Sequence, residues 1–168
     1  VLTALELPAG LSARDGAFIL RAAEPSDADA LIALISSDPI SAARGDVASA
    51  ADRDAYVGAL EAIQEDPRNL QLVAERDGGV IATLQLTLIP GLARRGALRL
   101  QVETVRVRDD LRSAGIGGAM MRWVSEVAAP ALGARMIQLT SDAARIDAHR
   151  FYERLGYAPS HVGFKLSL

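Results

Sequence analysis

The 168 residues are half apolar, carry 21 acidic and 18 basic side chains, and contain no cysteine. That chain can bury one full core, and a two-domain reading would be cramped. A formal charge of −3 gives no general pull toward nucleic acid or anionic membranes, and the missing cysteine excludes disulfides, thiolate zinc sites and a cysteine nucleophile. The opening V-L-T-A-L-E-L-P has no basic n-region and the apolar runs stay short, so neither a signal peptide nor a membrane span is expected, and a cytoplasmic protein fits.

In chain order, residues 1–16 carry Pro8, Gly10 and Gly16 without a sustained period and read as a tail or edge segment, leaving 17–168 as a single domain. A first strand is predicted from Ala17, in the run A-F-I-L-R-A-A. Glu24-Pro25-Ser26-Asp27 supplies a helix start, and Ala30, Leu31, Leu34 and Ile35 recur at helical spacing until Asp38-Pro39. Residues 40–47 read as loop. A second helix is predicted over 50–64, with Tyr56, Val57, Leu60 and Ile63 on one stripe. Strands at 70–75 and 80–89 flank Asp77-Gly78-Gly79, a hairpin signal.

The next strand begins after Arg94-Arg95-Gly96. Leu98, Leu100 and Val102 keep one phase, whereas Val105 and Val107 fall out of it by one. A single extra residue near Glu103-Thr104 restores the facing, so a β-bulge is predicted there.

Residues 105–118, V-R-V-R-D-D-L-R-S-A-G-I-G-G, then turn tightly into a helix whose Ile116, Ala119, Met120, Trp123, Val124 and Val127 share one face. A helix opening on small residues presents free backbone N–H groups and the positive end of its dipole, a cradle for pyrophosphate. The two common phosphate motifs fail on spacing. Gly118 is followed by Ala119-Met120 rather than Lys-Ser/Thr, and Met120 stands where a dinucleotide fingerprint needs its third glycine. Pro130 and Gly133 mark the helix exit. Residues 136–139 form a short strand, parallel to the bulged one because a helix connects them. A last helix is predicted over 147–155 with Gly156 as its C′ residue, and 161–168 as a closing strand.

What remains of the glycine loop is R-x-x-G-x-G, Arg112-Ser113-Ala114-Gly115-Ile116-Gly117, set five residues beyond Val107. It resembles the acetyl-CoA motif of the GCN5-related N-acetyltransferases, the GNAT superfamily. A second match is Ala148-His149-Arg150-Phe151-Tyr152 with Gly156-Tyr157, which resembles that family's A-x-x-F-Y-x-x-x-G-F/Y. The resemblance implies a mixed α/β fold: a twisted, mainly antiparallel sheet with helices on both faces and a splayed cleft between the fourth and fifth strands. It implies acetyl transfer from acetyl-CoA to a primary amine by direct attack in a ternary complex. Cofactor contacts would fall on Val105, Arg106 and Val107 through their backbone, and on Arg112, Ser113, Ala114, Gly115, Ile116, Gly117 and Gly118. Homodimerisation is common in that family.

From the helix alone, Phe151 and Tyr152 are core aromatics. Paired with the upstream motif, the resemblance implies that Tyr152 is the general acid to the leaving thiolate, while Phe151 stays a packing residue. Glu103, beside the bulge, is the candidate base, directly or through water; its alternative role is an exposed partner for Arg99 or another strand residue. The family's other base position holds Thr140 here, and Arg145 stands where many members have an asparagine touching the cofactor. Arg145 has three readings: contact with a CoA phosphate, contact with a substrate carboxylate, or solvation. Arg106 and Arg108 also read as exposed strand residues. His149 and His161 are isolated and suggest no metal. The acceptor is a small-molecule or peptide amine, with Arg94, Arg95 and Arg99 hinting at a carboxylate on it. The competing class is an acyl-CoA sensor or structural module without turnover.

Overall fold

The computed structural model describes residues 2–166. Six strands lie side by side in chain order: β1 (Ala9–Ala13), β2 (Gly16–Ala22), β3 (Asn69–Arg76), β4 (Gly79–Ile89), β5 (Arg99–Val107) and β6 (Met136–Leu139). Every neighbouring pair is antiparallel except β5 and β6, which run parallel across a helical connection. The helices that bear on the site are α1 (Ala28–Ser36), α2 (Pro39–Ala42), α3 (Arg53–Glu65), α4 (Ile116–Trp123) and α5 (Ile146–Arg154).

Alternation on the central strands sends side chains to two cores. Leu84, Leu86 and Leu88 of β4, with Leu100 and Val102 of β5, pack under Ile116, Met120, Met121 and Trp123 of α4. On the opposite face Val73 meets Ala28 and Leu31 of α1 and Leu60 of α3. Helices therefore cover both faces, as expected.

The bulge falls where the phase slip places it. Thr83 pairs with Arg106 but Gln85 pairs with Glu103, so Leu84 stands opposite both Thr104 and Val105. Thr104 absorbs the extra residue at φ 52°. The shift returns Val105 and Val107 to the α4 side, where both pack against the larger core.

Three expectations need correction. The stretch 40–47 is not simple loop, because Asp38 caps the short α2 by accepting from Ser41 N at 2.7 Å. The helix expected to run to about 128 is regular only to Trp123, and Val124–Ala128 continues as a wider π turn. The closing strand is not formed over 161–166, where Val162, Phe164 and Leu166 are 81%, 93% and 86% exposed. Alternation alone supplies no ladder; residues 167 and 168 lie outside the described residues.

Candidate functional site

The expected cleft forms where β5 and β6 part, the fourth and fifth strands when counted from Ala17 without β1. Their register runs from Arg99 with Met136 to Val102 with Leu139 and stops there, while β5 continues to Val107. Residues 103–107 thus keep pairing with β4 on one edge and are open on the other. The open edge carries Val105, Arg106 and Val107. The Val105 carbonyl already accepts from Arg106 Nη1 at 2.9 Å.

At the end of this edge the chain turns into α4. Gly115 caps the helix at φ 95°, a conformation a side chain strains, and Ser113 sits at φ 65°. The first bond of the helix is Ala119 N to Gly115 O at 2.9 Å, so the N–H groups of Gly115, Ile116, Gly117 and Gly118 precede it. These four donors lie at the positive end of the helix dipole, at the turn where the spacing predicts an anion cradle. A side chain begun at Gly117 would meet Phe151 Cζ and Val107 Cγ2, both at 3.6 Å. Helix α5 therefore closes one side of the cradle.

The loop before Gly115 is held by a residue that the sequence reading passed over. Arg14, directly after β1, donates its backbone N–H to Ala114 O at 3.0 Å and its guanidinium to Ser113 O. Arg112 is more than half exposed and pairs with Asp109 at 2.5 Å.

Tyr152 stands on α5 between Phe151 and Tyr157, with ring centroids 5.1 Å and 5.9 Å away and edge-on geometry. Burial raises its pKa, and the positive charges of Arg106 and Arg145 pull it back. The phenol is therefore protonated at neutral pH. It makes no hydrogen bond among the described residues, which leaves the proton available for donation. Burial pushes Tyr157 up to about 12, and its hydroxyl is buried without a partner.

Glu103 is exposed beside the bulge, opposite Gln85, and has no ion pair among the described residues. Arg99, one of the partners its alternative role allowed, donates to Gln138 Oε1 at 3.3 Å. The face that Glu103 shares with Gln101 is polar. Gln138 donates to Gln101 at 2.7 Å, Gln85 and Thr87 both donate to Asn69, and Gln71 donates to Thr83 at 2.6 Å. That surface was readable from Thr83, Gln85 and Thr87 alternating with leucines along β4. Between it and α1 and α3 lies a cavity of about 110 Å³, reached by Thr104, Gln85 and Tyr56.

Arg145 is the largest surprise. Both its Nη atoms donate to the Asp38 carboxylate, and the guanidinium holds that carboxyl far below the usual range. Arg44 likewise pairs with Asp142. His149 Nε2 lies 2.8 Å from the Asp142 carbonyl, within the same corner, and Thr140 is exposed just beyond β6. No group of three or more metal-ligating side chains occurs among the described residues, and none of their helices is long and apolar enough to cross a membrane.

Comparison with known proteins gives one answer at the level of family. The sequence model of the acetyltransferase (GNAT) family matches residues 32–157. An aminoalkylphosphonate N-acetyltransferase of Salmonella typhimurium is 30% identical over 149 residues, covering 89% of this chain and 90% of the relative. A crystal structure from Bacillus halodurans, described as a transcriptional regulator, superposes with a TM-score of 0.85 at 32% identity, covering 90% of this chain and 99% of that one. A Trypanosoma brucei acetyltransferase shares the fold at a TM-score of 0.72 and 21% identity, over 90% of this chain and 99% of its own. The family model, the Salmonella relative and the shared fold agree, and the chain belongs to the GNAT family of acetyltransferases.

Proposed function

We propose that this chain moves an acetyl group from acetyl-CoA to a primary amine by direct attack in a ternary complex. The observation that carries the reading is the open edge of residues 103–107 leading into four free N–H groups at the start of α4. The residues present fit the co-substrate. Gly115, Ile116, Gly117 and Gly118 would hold its pyrophosphate, with Ser113, Ala114 and Arg112 flanking it, and Val105, Arg106 and Val107 would offer backbone partners to the amide-containing arm. Arg145 would stand behind the acceptor rather than on a phosphate, since its hydrogen-bonding edge is taken by Asp38.

Acetyl-CoA, when bound, supplies a thioester carbon to which the amine nitrogen bonds as the carbon–sulfur bond breaks. Glu103 takes the proton that the amine must lose, directly or through one water. Tyr152 gives its phenolic proton to the departing sulfur, whose electron pair it neutralises. Metal has no step in this scheme. The acceptor named for the Salmonella relative, an aminoalkylphosphonate, is a primary amine and a natural first substrate to try.

Calorimetric titration with acetyl-CoA, using dephospho-CoA and NADH as controls, followed by thiol release across an amine panel, tests the reading. Saturable binding with amine-dependent thiol release supports it, and Glu103→Gln should slow that release. A covalent acetyl-enzyme would sink the direct mechanism. Binding without turnover across the whole panel would instead favour an acyl-CoA sensor, a reading supported by the aspartate-bound arginine at position 145.

A further inference from the structure

Arg106 differs from the other arginines around the cleft. Arg145 takes both oxygens of Asp38 and Arg44 takes Asp142. Arg106 has no carboxylate within hydrogen-bond distance. Its Nη2 donates to Ser41 Oγ at 2.9 Å, its Nη1 returns to the Val105 carbonyl, and its Nε is buried without a partner. Asp38 stands 4.0 Å off and is already engaged. Burial and the neighbouring Arg145 charge push the guanidinium pKa down, and Asp38, Tyr152 and Asp46 offset this only in part. A half-buried cation so placed is costly until something supplies a countercharge.

The direction of the side chain limits what that countercharge can be. Val105 and Val107 point toward α4, with Val107 against Gly117, so Arg106 leaves the strand on the opposite face, away from the pyrophosphate cradle. It lies in the field of Tyr152 and beside the α1–α2 connection. Thr104, two residues earlier, borders the cavity of about 110 Å³ under α1 and α3. That volume is of the order of three or four water molecules, which suits a short carbon chain.

We propose that the acceptor is a small amine bearing an anionic group, a phosphonate or a carboxylate, and that Arg106 receives this group and so turns the amine toward the thioester beside Tyr152. The inference rests on the acetyltransferase reading and adds the substrate class and the residue that selects it. The Arg106 Nη1 and Nη2 each use one hydrogen, on Val105 O and Ser41 Oγ, and the second hydrogen on each is left for the oxygens of such a group, a charge-assisted contact that a hydroxyl or ammonium on the acceptor does not make.

The test measures thiol release with 2-aminoethylphosphonate, β-alanine, ethanolamine and 1,3-diaminopropane, for the wild-type chain and for Arg106→Gln and Arg106→Lys. In the wild type the two anionic amines should exceed ethanolamine and the diamine in kcat/KM by on the order of 10- to 100-fold. Arg106→Gln should erase most of this ratio through the KM of the anionic amines, and Arg106→Lys should restore part of it. Equal rates with all four amines in the wild type would overturn the inference and leave acetyl transfer standing. So would a proportional loss on every amine in Arg106→Gln, the mark of a merely structural arginine. If no amine accelerates thiol release, the acetyltransferase reading itself fails and this inference falls with it. The wild-type ratio decides even if a variant does not fold.

Discussion

The Asp38 carboxylate accepts from both Nη atoms of Arg145, a residue 107 positions later. Asp38 also caps α2, and Ser41 in that helix reaches Arg106 on β5. The α1–α2 connection therefore spans from β5 to the segment after β6, over the place where the two strands part. With its side chain 9% exposed, Asp38 is a buried partner, and removing one side of such a pair costs about 3 kcal/mol. Asp38→Ala should lower the melting temperature by roughly 6–12 °C and speed amide exchange over residues 38–46. An unchanged melt would show that the pair contributes nothing net.

The same pair fixes a direction in pH. Arg145 depresses the folded-state pKa of Asp38, and Arg21 does the same to Asp27. Stability from a depressed carboxylate is complete above its unfolded value, about 3.9, and is lost as pH falls toward the folded value. The melting temperature should therefore be flat with respect to these pairs from pH 7 to about 5 and decline below about 4. Asp38→Asn should start lower at pH 7 and lose less on acidification. A steeper acid decline in the variant than in the parent would contradict this assignment.

At the cradle the two obvious substitutions should behave differently. Gly117 faces Phe151 and Val107 at ordinary contact distance, so a methyl group fits while an indole must push α5 and the end of β5 apart beside the helix start. Gly117→Trp should abolish saturable acetyl-CoA binding, with a thermal melt run alongside to separate a deformed cradle from a lost fold, whereas Gly117→Ala should keep both. Arg112 is a side chain more than half exposed, already paired with Asp109, and exposed charges contribute less than about 1 kcal/mol. Arg112→Ala should weaken binding by no more than about 5-fold. Calorimetry on the two variants separates backbone from side-chain recognition.

Much of this was legible because it is local. The slip between Val102 and Val105 located the bulge, and the glycines after Arg112 located the tight turn into α4. Both depend on periodicity or on turn chemistry within a few residues. The pairings that shape the acceptor side are not local: Asp38 with Arg145 and Arg14 with Ser113 join segments about a hundred positions apart, and no spacing rule connects them. The polar face of β4 was present as alternation and needed only the question of what its second face does. The segment 161–166 shows the reverse error, since its alternation is genuine but a strand also requires a neighbour.

Tyr152 provides the sharpest test of the chemistry. Tyr152→Phe keeps the edge-on packing against Phe151 and Tyr157 and removes only the hydroxyl, so the melt should change little. As general acid the hydroxyl is worth about 100-fold or more, so kcat should fall by that factor while acetyl-CoA affinity holds. Burial raises the phenol pKa above its ordinary 10, with Arg106 and Arg145 acting against the shift. The wild-type rate should therefore show no alkaline decline from this group below about pH 10, and the variant should lose whatever decline appears above it. A Tyr152→Phe enzyme with wild-type kcat and an unaltered alkaline profile would leave the thiolate to take its proton from water, with Tyr152 reduced to a wall of the cleft.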